Sequence, residues 1–249
     1  MPVKEALGID IGGTGIKAAV VDTVTGELLT ERVKFPTPDP ATPRAVVEVI
    51  GNAVEHFDYR GPVGCGFPGV VKKGVIHTAA NVSKKWIGVD GEALFFEASG
   101  LPFTLMNDAD LAGIAEMRFG AGRGRKGLVI LLTFGTGIGS ALFLDGKLVP
   151  NVELGHLEID GREAEKWASE RARVEEGLSN KEWTKRVNVV LARVHAYFWP
   201  ELVLFGGGVS RKFDEFGHRL KVPCELLPAA LRNRAGVIGA ALAAAKGGL

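Results

Sequence analysis

Asp10 ends an apolar run in LGIDIGGTGIKAAVVD (residues 7–22), just ahead of the turn Gly12-Gly13-Thr14-Gly15. A turn of this composition presents successive backbone N–H groups with no side chain in the way, which suits phosphate oxygens. Thr14 adds a hydroxyl donor, Lys17 a cation just past the turn, and Asp10 a carboxylate able to hold Mg2+ through water opposite those phosphates. The tetrapeptide GTGI recurs in VILLTFGTGIGSALFLDG (129–146), where Gly135, Thr136 and Gly137 offer a second cradle. A third glycine cluster, Gly206–Gly208, follows the run LVLF; its Gly207 and Gly208, with Arg211 and Lys212 beyond them, are further phosphate candidates. Either GTGI turn alone reads as a hairpin that needs glycine for positive φ. Taken with Asp10 and the third cluster, phosphate binding is the better reading. No GK[ST] follows either turn and neither fits GxGxxG, so the P-loop and the dinucleotide fingerprint are excluded.

A second constellation is LMNDAD (105–110), an apolar run that breaks into Asn107 and Asp108 ahead of helical spacing. Phosphoryl transfer to a hydroxyl needs a base within hydrogen-bond reach, and a carboxylate at a strand end can serve. Asp108 could instead cap the helix, but Asp110 is also available for that task. Glu153 and His156 in ELGH supply donors and acceptors of the kind a hexose ring needs, but read equally well as a solvated surface pair. Asn81 in AANVSKKW reads on its own as a turn residue.

The elements that must position these residues follow from periodicity. Leu7–Ile11 and Ile16–Asp22 read as a hairpin, Glu27–Phe35 as a third strand, Ala45–Phe57 as a helix, and Val63–Phe67 and Phe103–Asn107 as buried strands. A helix is expected over Ala109–Phe119. The pattern then restarts with strands Leu128–Phe134, Gly139–Asp145 and Lys147–Val149, a mainly helical stretch, the strand LVLFGGG (202–208), a helix after it that opens on Arg211 and Lys212, and a last helix from about Val237. Two lobes that each begin with strand, glycine turn and strand point to a duplicated α/β fold with ligands held in a cleft.

Composition sets the outer bounds. The chain has 249 residues, 46% apolar and 24% charged, and a net charge of +1, without the basic excess of a nucleic-acid binder. Its two cysteines, Cys65 and Cys224, lack metal-type spacing and read as core residues. Strand-like sequence begins within six residues, leaving no room for a cleavable signal, and no run is long enough to span a bilayer. A cytoplasmic protein with no membrane partner is expected.

IDIGGTGIK resembles the opening of the ROK family of sugar kinases and repressors, and LMNDAD, ELGH, LFGGGVS (204–210) and NRAGVIGAA (233–241) resemble its later motifs in order. FPGVV (67–71), TAANVSKKWIG (78–88) and NVELGHLEIDGREAEKWAS (151–169) look most like the polyphosphate glucokinase branch. The resemblance spans nearly the whole chain. It implies an actin-like, hexokinase-type ATPase fold of duplicated βββαβα units. The small lobe would be residues 1–108, completed by the helix 237–249, and the large lobe 109–236. It makes Asp108 the catalytic base, and Asn81, Asn107, Asp108, Glu153 and His156 glucose ligands. Most members follow GH with a cysteine-rich zinc loop. Here HLEIDGREAE stands in its place, so no zinc is expected, and Glu165, with Glu158 competing, replaces the sugar-contacting glutamate that ends that loop.

The reaction implied is transfer of a terminal phosphoryl group from inorganic polyphosphate, or ATP, to the 6-OH of glucose with Mg2+, in a homodimer. Lys84–Lys85, Arg123–Arg125–Lys126 and Arg211–Lys212 are candidates for a donor track. The alternatives are an ATP-dependent kinase of glucose, mannose or N-acetylmannosamine, and a non-catalytic actin-like ATPase. The family's repressors carry an N-terminal DNA-binding segment, for which a hairpin starting at Leu7 leaves no place.

Overall fold

The computed structural model describes residues 3–245. Its first elements are β1 (Glu5–Gly12), β2 (Gly15–Asp22), β3 (Val33–Phe35), α1 (Pro43–His56), β4 (Val63–Phe67), β5 (Val71–Lys72), β6 (Val75–Ile76), α2 (Gly91–Ser99), β7 (Phe103–Asn107) and α3 (Asp108–Phe119). Next come β8 (Leu128–Phe134), β9 (Ile138–Leu144), β10 (Lys147–Val149), β11 (Glu158–Ile159), β12 (Arg162–Glu163), α4 (Ala164–Ala168), α5 (Glu170–Glu175) and α6 (Asn180–Phe198). The chain continues with β13 (Leu202–Gly206), α7 (Phe213–Phe216), β14 (Glu225–Pro228) and α8 (Ala235–Ala245). It forms two compact units. One runs through Ala115 and resumes at Arg234; the other is Glu116–Asn233.

Both units are built on one plan. The first has a sheet of order β3-β2-β1-β4-β7, an antiparallel trio to which β4 and β7 are added parallel. The second has β10-β9-β8-β13-β14, again an antiparallel trio followed by two parallel strands. In each unit a GTGI turn joins the first two strands.

In the first unit, Leu7, Ile9 and Ile11 alternate into a core closed by the ring cluster Phe67, Trp86, Phe95 and Phe103. The Trp86 indole donates to the Ala41 carbonyl at 3.1 Å, which fixes the segment carrying Asn81. Helix α8 is mostly Ala and Gly, with Val237, Ile238 and Leu242 between them, and is buried on nearly every side. Gly8 of β1 and Gly64 of β4 have no Cβ to hold off its backbone at Val237 and Ala240, and Gly239 meets the backbone of Leu111 in the same way. Such close approach is open only to small residues.

In the second unit, Phe134 stacks on Phe205 at 4.6 Å, with Trp183 and Phe216 edge-on around them. Helix α6 starts with a full capping box between Ser179 and Glu182.

Three expectations change. The strand expected over Glu27–Phe35 is only Val33–Phe35: the Thr30 hydroxyl takes the Val20 N–H at 3.0 Å where a strand carbonyl would stand, and upstream only Leu28 bridges to Val21. Arg211 and Lys212 open no long helix but end a 3-10 turn, Gly208–Lys212, ahead of the single turn α7. The last helix begins at Ala235, two residues early, and residues 246–249 of its expected span lie outside the described residues. Cys65 is fully buried, Cys224 partly, and both are free thiols. No helix among the described residues is long and apolar enough to cross a membrane.

Candidate active site

The first turn is a two-residue bend, Gly13–Thr14, closed by the pair Gly12 and Gly15. None of these residues has a left-handed backbone, so the glycines are not there for positive φ, contrary to the ordinary-hairpin reading. They make room instead. A Cβ on Gly13 would lie 3.1 Å from Asn81 Cβ, and one on Gly15 would run into the Lys34 stem. Asp10 and Lys17 are direct cross-strand partners, and Lys17 Nζ donates to Asp10 Oδ2 at 2.9 Å. Gly236, at the start of α8, leaves space beside that carboxylate, since a Cβ there would come within 3.0 Å of Asp10 Cγ. The Thr37 hydroxyl ties the segment after β3 to the Gly12 carbonyl at 2.5 Å.

Asn107 and Asp108 stand at the β7–α3 junction. Asn107 Oδ1 accepts the N–H groups of Ala109 at 2.9 Å and Asp110 at 3.0 Å, and its Nδ2 donates to the Gly69 carbonyl at 3.1 Å. Asn107, not Asp110, therefore caps α3; Asp110 is only 1% exposed inside the first turn. Asp108 Oδ1 shares the Ala109 N–H at 2.8 Å, which holds the carboxylate at the positive end of the helix while the residue stays part-exposed. Loop 67–70 is tied to Thr78 and Ala80 by the bonds Val70 N to Thr78 Oγ1 and Ala80 N to Pro68 O, both 2.8 Å. That carries the chain to Asn81, which is exposed, left-handed at φ 59°, and set against Gly13. Asn81 is thus both a turn residue and a neighbour of the phosphate candidate.

The second turn differs. It is a three-residue bend, Gly135–Gly137, closed by the pair Phe134 and Ile138. The Gly135 carbonyl accepts from the Arg171 N–H at 3.0 Å. Glu165, in the first turn of α4, lays its carboxylate in the space a Gly137 side chain would fill and accepts the Ile138 N–H at 3.4 Å. An anion already faces this cradle.

His156, Glu163 and Glu165 bring ligand atoms within 4.8 Å of one another. Within that group His156 Nδ1 lies 3.1 Å from Glu163 Oε1, and Lys166 donates to Glu163 at 2.6 Å. These contacts, the Lys166 bond foremost, hold the Glu163 carboxyl below its usual range. Glu153, half-buried, is pushed the other way: burial raises it, His156 opposes, and Glu165 adds to the rise. Glu158 is exposed on β11 opposite Glu163.

At the third glycine cluster, Gly207 is left-handed at φ 86° and packs on the backbone of Phe134. Arg211 Nε donates back to the Gly208 carbonyl at 3.3 Å. Two other donor-track candidates have protein partners: Lys84 donates to the Ala79 carbonyl, and Arg125 makes a two-bond pair with Glu225 at 2.7 and 2.8 Å. Sequence reasoning passed over Lys34, Thr37, Gly236 and Glu163. For Lys34 the one signal was its place in a charged alternation ahead of the proline-rich stretch.

With this geometry in view, the likeness to known proteins is specific. The ROK family model matches residues 6–189. The polyphosphate glucokinase of Mycobacterium tuberculosis (strain CDC 1551 / Oshkosh) is 48% identical over 241 residues, 96% of this chain and 91% of that protein. That of Mycobacterium leprae (strain TN) is 46% identical over 95% of this chain and 73% of its own length. Among solved structures, the inorganic polyphosphate/ATP-glucomannokinase of Arthrobacter sp. strain KM superposes with a TM-score of 0.96 at 48% identity, covering 98% of this chain and all of that one. A ROK family glucokinase from Streptomyces griseus, in complex with glucose and AMPPNP, matches with a TM-score of 0.85 at 26% identity over 97% of this chain and 99% of its own. The fold is that of the actin-like ATPases, and the chain belongs to the ROK family.

Proposed function

We propose that the chain is a glucokinase that transfers the terminal phosphoryl group of inorganic polyphosphate, and also of ATP, to the 6-OH of glucose. The observation that carries this reading is the near-full-length likeness to proteins named polyphosphate glucokinase. The 6-oxygen attacks the terminal phosphorus, the bond to the next phosphate's bridging oxygen breaks, and the hydroxyl proton passes to the Asp108 carboxylate. The products are glucose 6-phosphate and a donor one phosphate shorter. Asp108 suits the role because it is part-exposed and Asn107 takes most of the capping task.

Asn81, Asn107, Asp108, Glu153, His156 and Glu165 are proposed as sugar ligands. Glu165 is preferred to Glu158 because it borders the second turn. Phosphate is assigned to the N–H groups of Gly12, Gly13, Thr14 and Gly15, with Lys17 beside them. Gly207, Gly208, Arg211 and Lys212 are proposed as further phosphate ligands. Gly135, Thr136 and Gly137 can serve phosphate only with Glu165 drawn aside. Asp10 fits Mg2+ held through water, with Lys17 as its competitor for the carboxylate. Such an ion, when bound, neutralises charge on the transferring phosphates. A cytoplasmic homodimer is proposed with it, as the family resemblance of the sequence motifs implies. An ATP-dependent kinase of glucose or another hexose is the second reading, favoured by the AMPPNP bound in the Streptomyces griseus relative.

The test is glucose 6-phosphate formation by purified protein with Mg2+, comparing nucleotide-free polyphosphate with ATP. Turnover on nucleotide-free polyphosphate, and also on ATP, is expected; turnover on ATP only would leave the second reading. Asp108→Asn should keep glucose affinity and lose about 10²–10⁴ in kcat, the usual worth of a general base. Near-normal turnover would remove Asp108 from that role.

A further inference from the structure

Three adjacent strands of the first unit place Asp10, Lys17 and Lys34 in one cross-strand row, Asp10 opposite Lys17 and Lys17 opposite Lys34. Residues directly opposite in neighbouring strands share a face of the sheet. Side chains alternate with period two, so Gly12 and Gly15 open onto that same face. Both glycine positions are overhung by lysines. A Cβ on Gly12 would lie 3.7 Å from Lys17 Nζ, and one on Gly15 would strike Lys34 along its stem from Cγ to Cε. The Lys34 side chain therefore runs from its register position across Gly15, with its methylene stem lying over the end of the turn.

Charge bookkeeping separates the two lysines. Lys17 is spent on Asp10 in a pair whose side chains are only 29% and 17% exposed. Lys34 is exposed and no ion pair holds it among the described residues. The row thus keeps one uncompensated positive charge, held beside a run of backbone N–H groups by the absence of a side chain at Gly15. ATP ends its anionic stretch after three phosphates, whereas a linear polyphosphate continues as an anion and needs cations further along.

Resting on the donor reading above, we infer that Lys34 is a donor-binding residue that extends the phosphate site at the first turn into a short cationic track selective for linear polyphosphate. The experiment compares the full-length protein with Lys34→Gln and Lys34→Arg. It measures KM for long-chain polyphosphate, KM for ATP and for glucose, and the anisotropy of end-labelled long-chain polyphosphate against salt. The expected result is a rise of about fivefold to tenfold in polyphosphate KM for Lys34→Gln and a change below about twofold for ATP and glucose. The slope of log affinity against log salt should fall by about one, as for loss of one cation contact to a polyanion, and Lys34→Arg should restore all of these. Equal changes for both donors, or none in polyphosphate affinity, would overturn the inference. The two levels fail differently. A parent protein that neither binds nor turns over polyphosphate refutes the donor reading and the track together. A parent active on polyphosphate with an indifferent Lys34→Gln refutes the track alone.

Discussion

At the first GTGI turn a two-residue bend closes between Gly12 and Gly15, and the charged side chains on its face are Asp10, Lys17 and Lys34. At the second, a three-residue bend closes between Phe134 and Ile138, and the charged side chain against it is Glu165. The identical four letters are even out of register: Gly15 lies in a strand, whereas its counterpart Gly137 lies in the bend. What repeats is a need for backbone that other groups can approach closely. What differs is which charge approaches. A phosphate about 4 Å from a carboxylate meets a repulsion of about 4 kcal/mol at the effective dielectric of a protein surface. The second turn, as it stands, is therefore better matched to hydroxyl groups than to phosphate.

The sharpest way to break this contrast is at Glu165. If its carboxylate serves the sugar, Glu165→Gln should raise glucose KM by about tenfold to a hundredfold, the worth of a hydrogen bond to a charged group. The KM for polyphosphate should stay within about twofold. Steady-state kinetics with each substrate varied in turn decide the matter. Unchanged glucose KM with a lowered polyphosphate KM would mean that Glu165 instead guards a phosphate cradle.

A smaller effect separates the glycines themselves. Gly15→Ala must displace the Lys34 stem, whereas a Cβ on Gly135 meets nothing within 4 Å. Gly15→Ala is expected to raise polyphosphate KM by several-fold. Gly135→Ala should change neither donor KM nor Tm beyond about 0.5 kcal/mol equivalent, as for a substitution that touches nothing. Similar losses in both variants would return the two turns to equal status.

The sequence discloses these elements and motifs unevenly, and the reason is physical. Strands β4, β7, β8 and β10 run between the expected residues, because each is an apolar or alternating run bounded by glycine, proline or charge. Asp10 and Asp108 could be singled out because each ends such a run. Register could not be read. Lys34 faces Lys17 only through the β2–β3 pairing, and that strand proved shorter than its alternation suggested. Nor could the two-residue hairpin, β11–β12, that reverses the chain between Glu158 and Glu165. Glu116 is the extreme case: fully buried, it accepts the N–H groups of Ala121 at 3.0 Å and of Ala230 and Leu231 at 3.0 and 2.7 Å, the last from 115 residues away. Nothing in its local sequence marks it.

The mildest test concerns Glu153, whose contrast with Glu163 is one of burial. Glu163 is lowered chiefly by its bond to Lys166, Glu153 raised chiefly by desolvation. A carboxyl raised in the folded state binds more proton there than in the unfolded chain, between the ordinary value of 4.5 and the folded one. Folding stability from this group is thus greatest below that window and falls as pH rises through it; above it the full cost of burying the charge remains. If Glu153 is a sugar ligand, as proposed, sugar binding runs the other way, since the ionised form is the better acceptor of sugar hydroxyls. The kcat/KM for glucose should therefore climb with pH by at most about tenfold per unit, on a limb lying above the usual carboxylate range. Glu153→Gln should flatten that limb, and its Tm relative to the parent should improve as pH rises through the same window. A limb unmoved by the substitution would assign the titration to another group and leave Glu153 a structural residue.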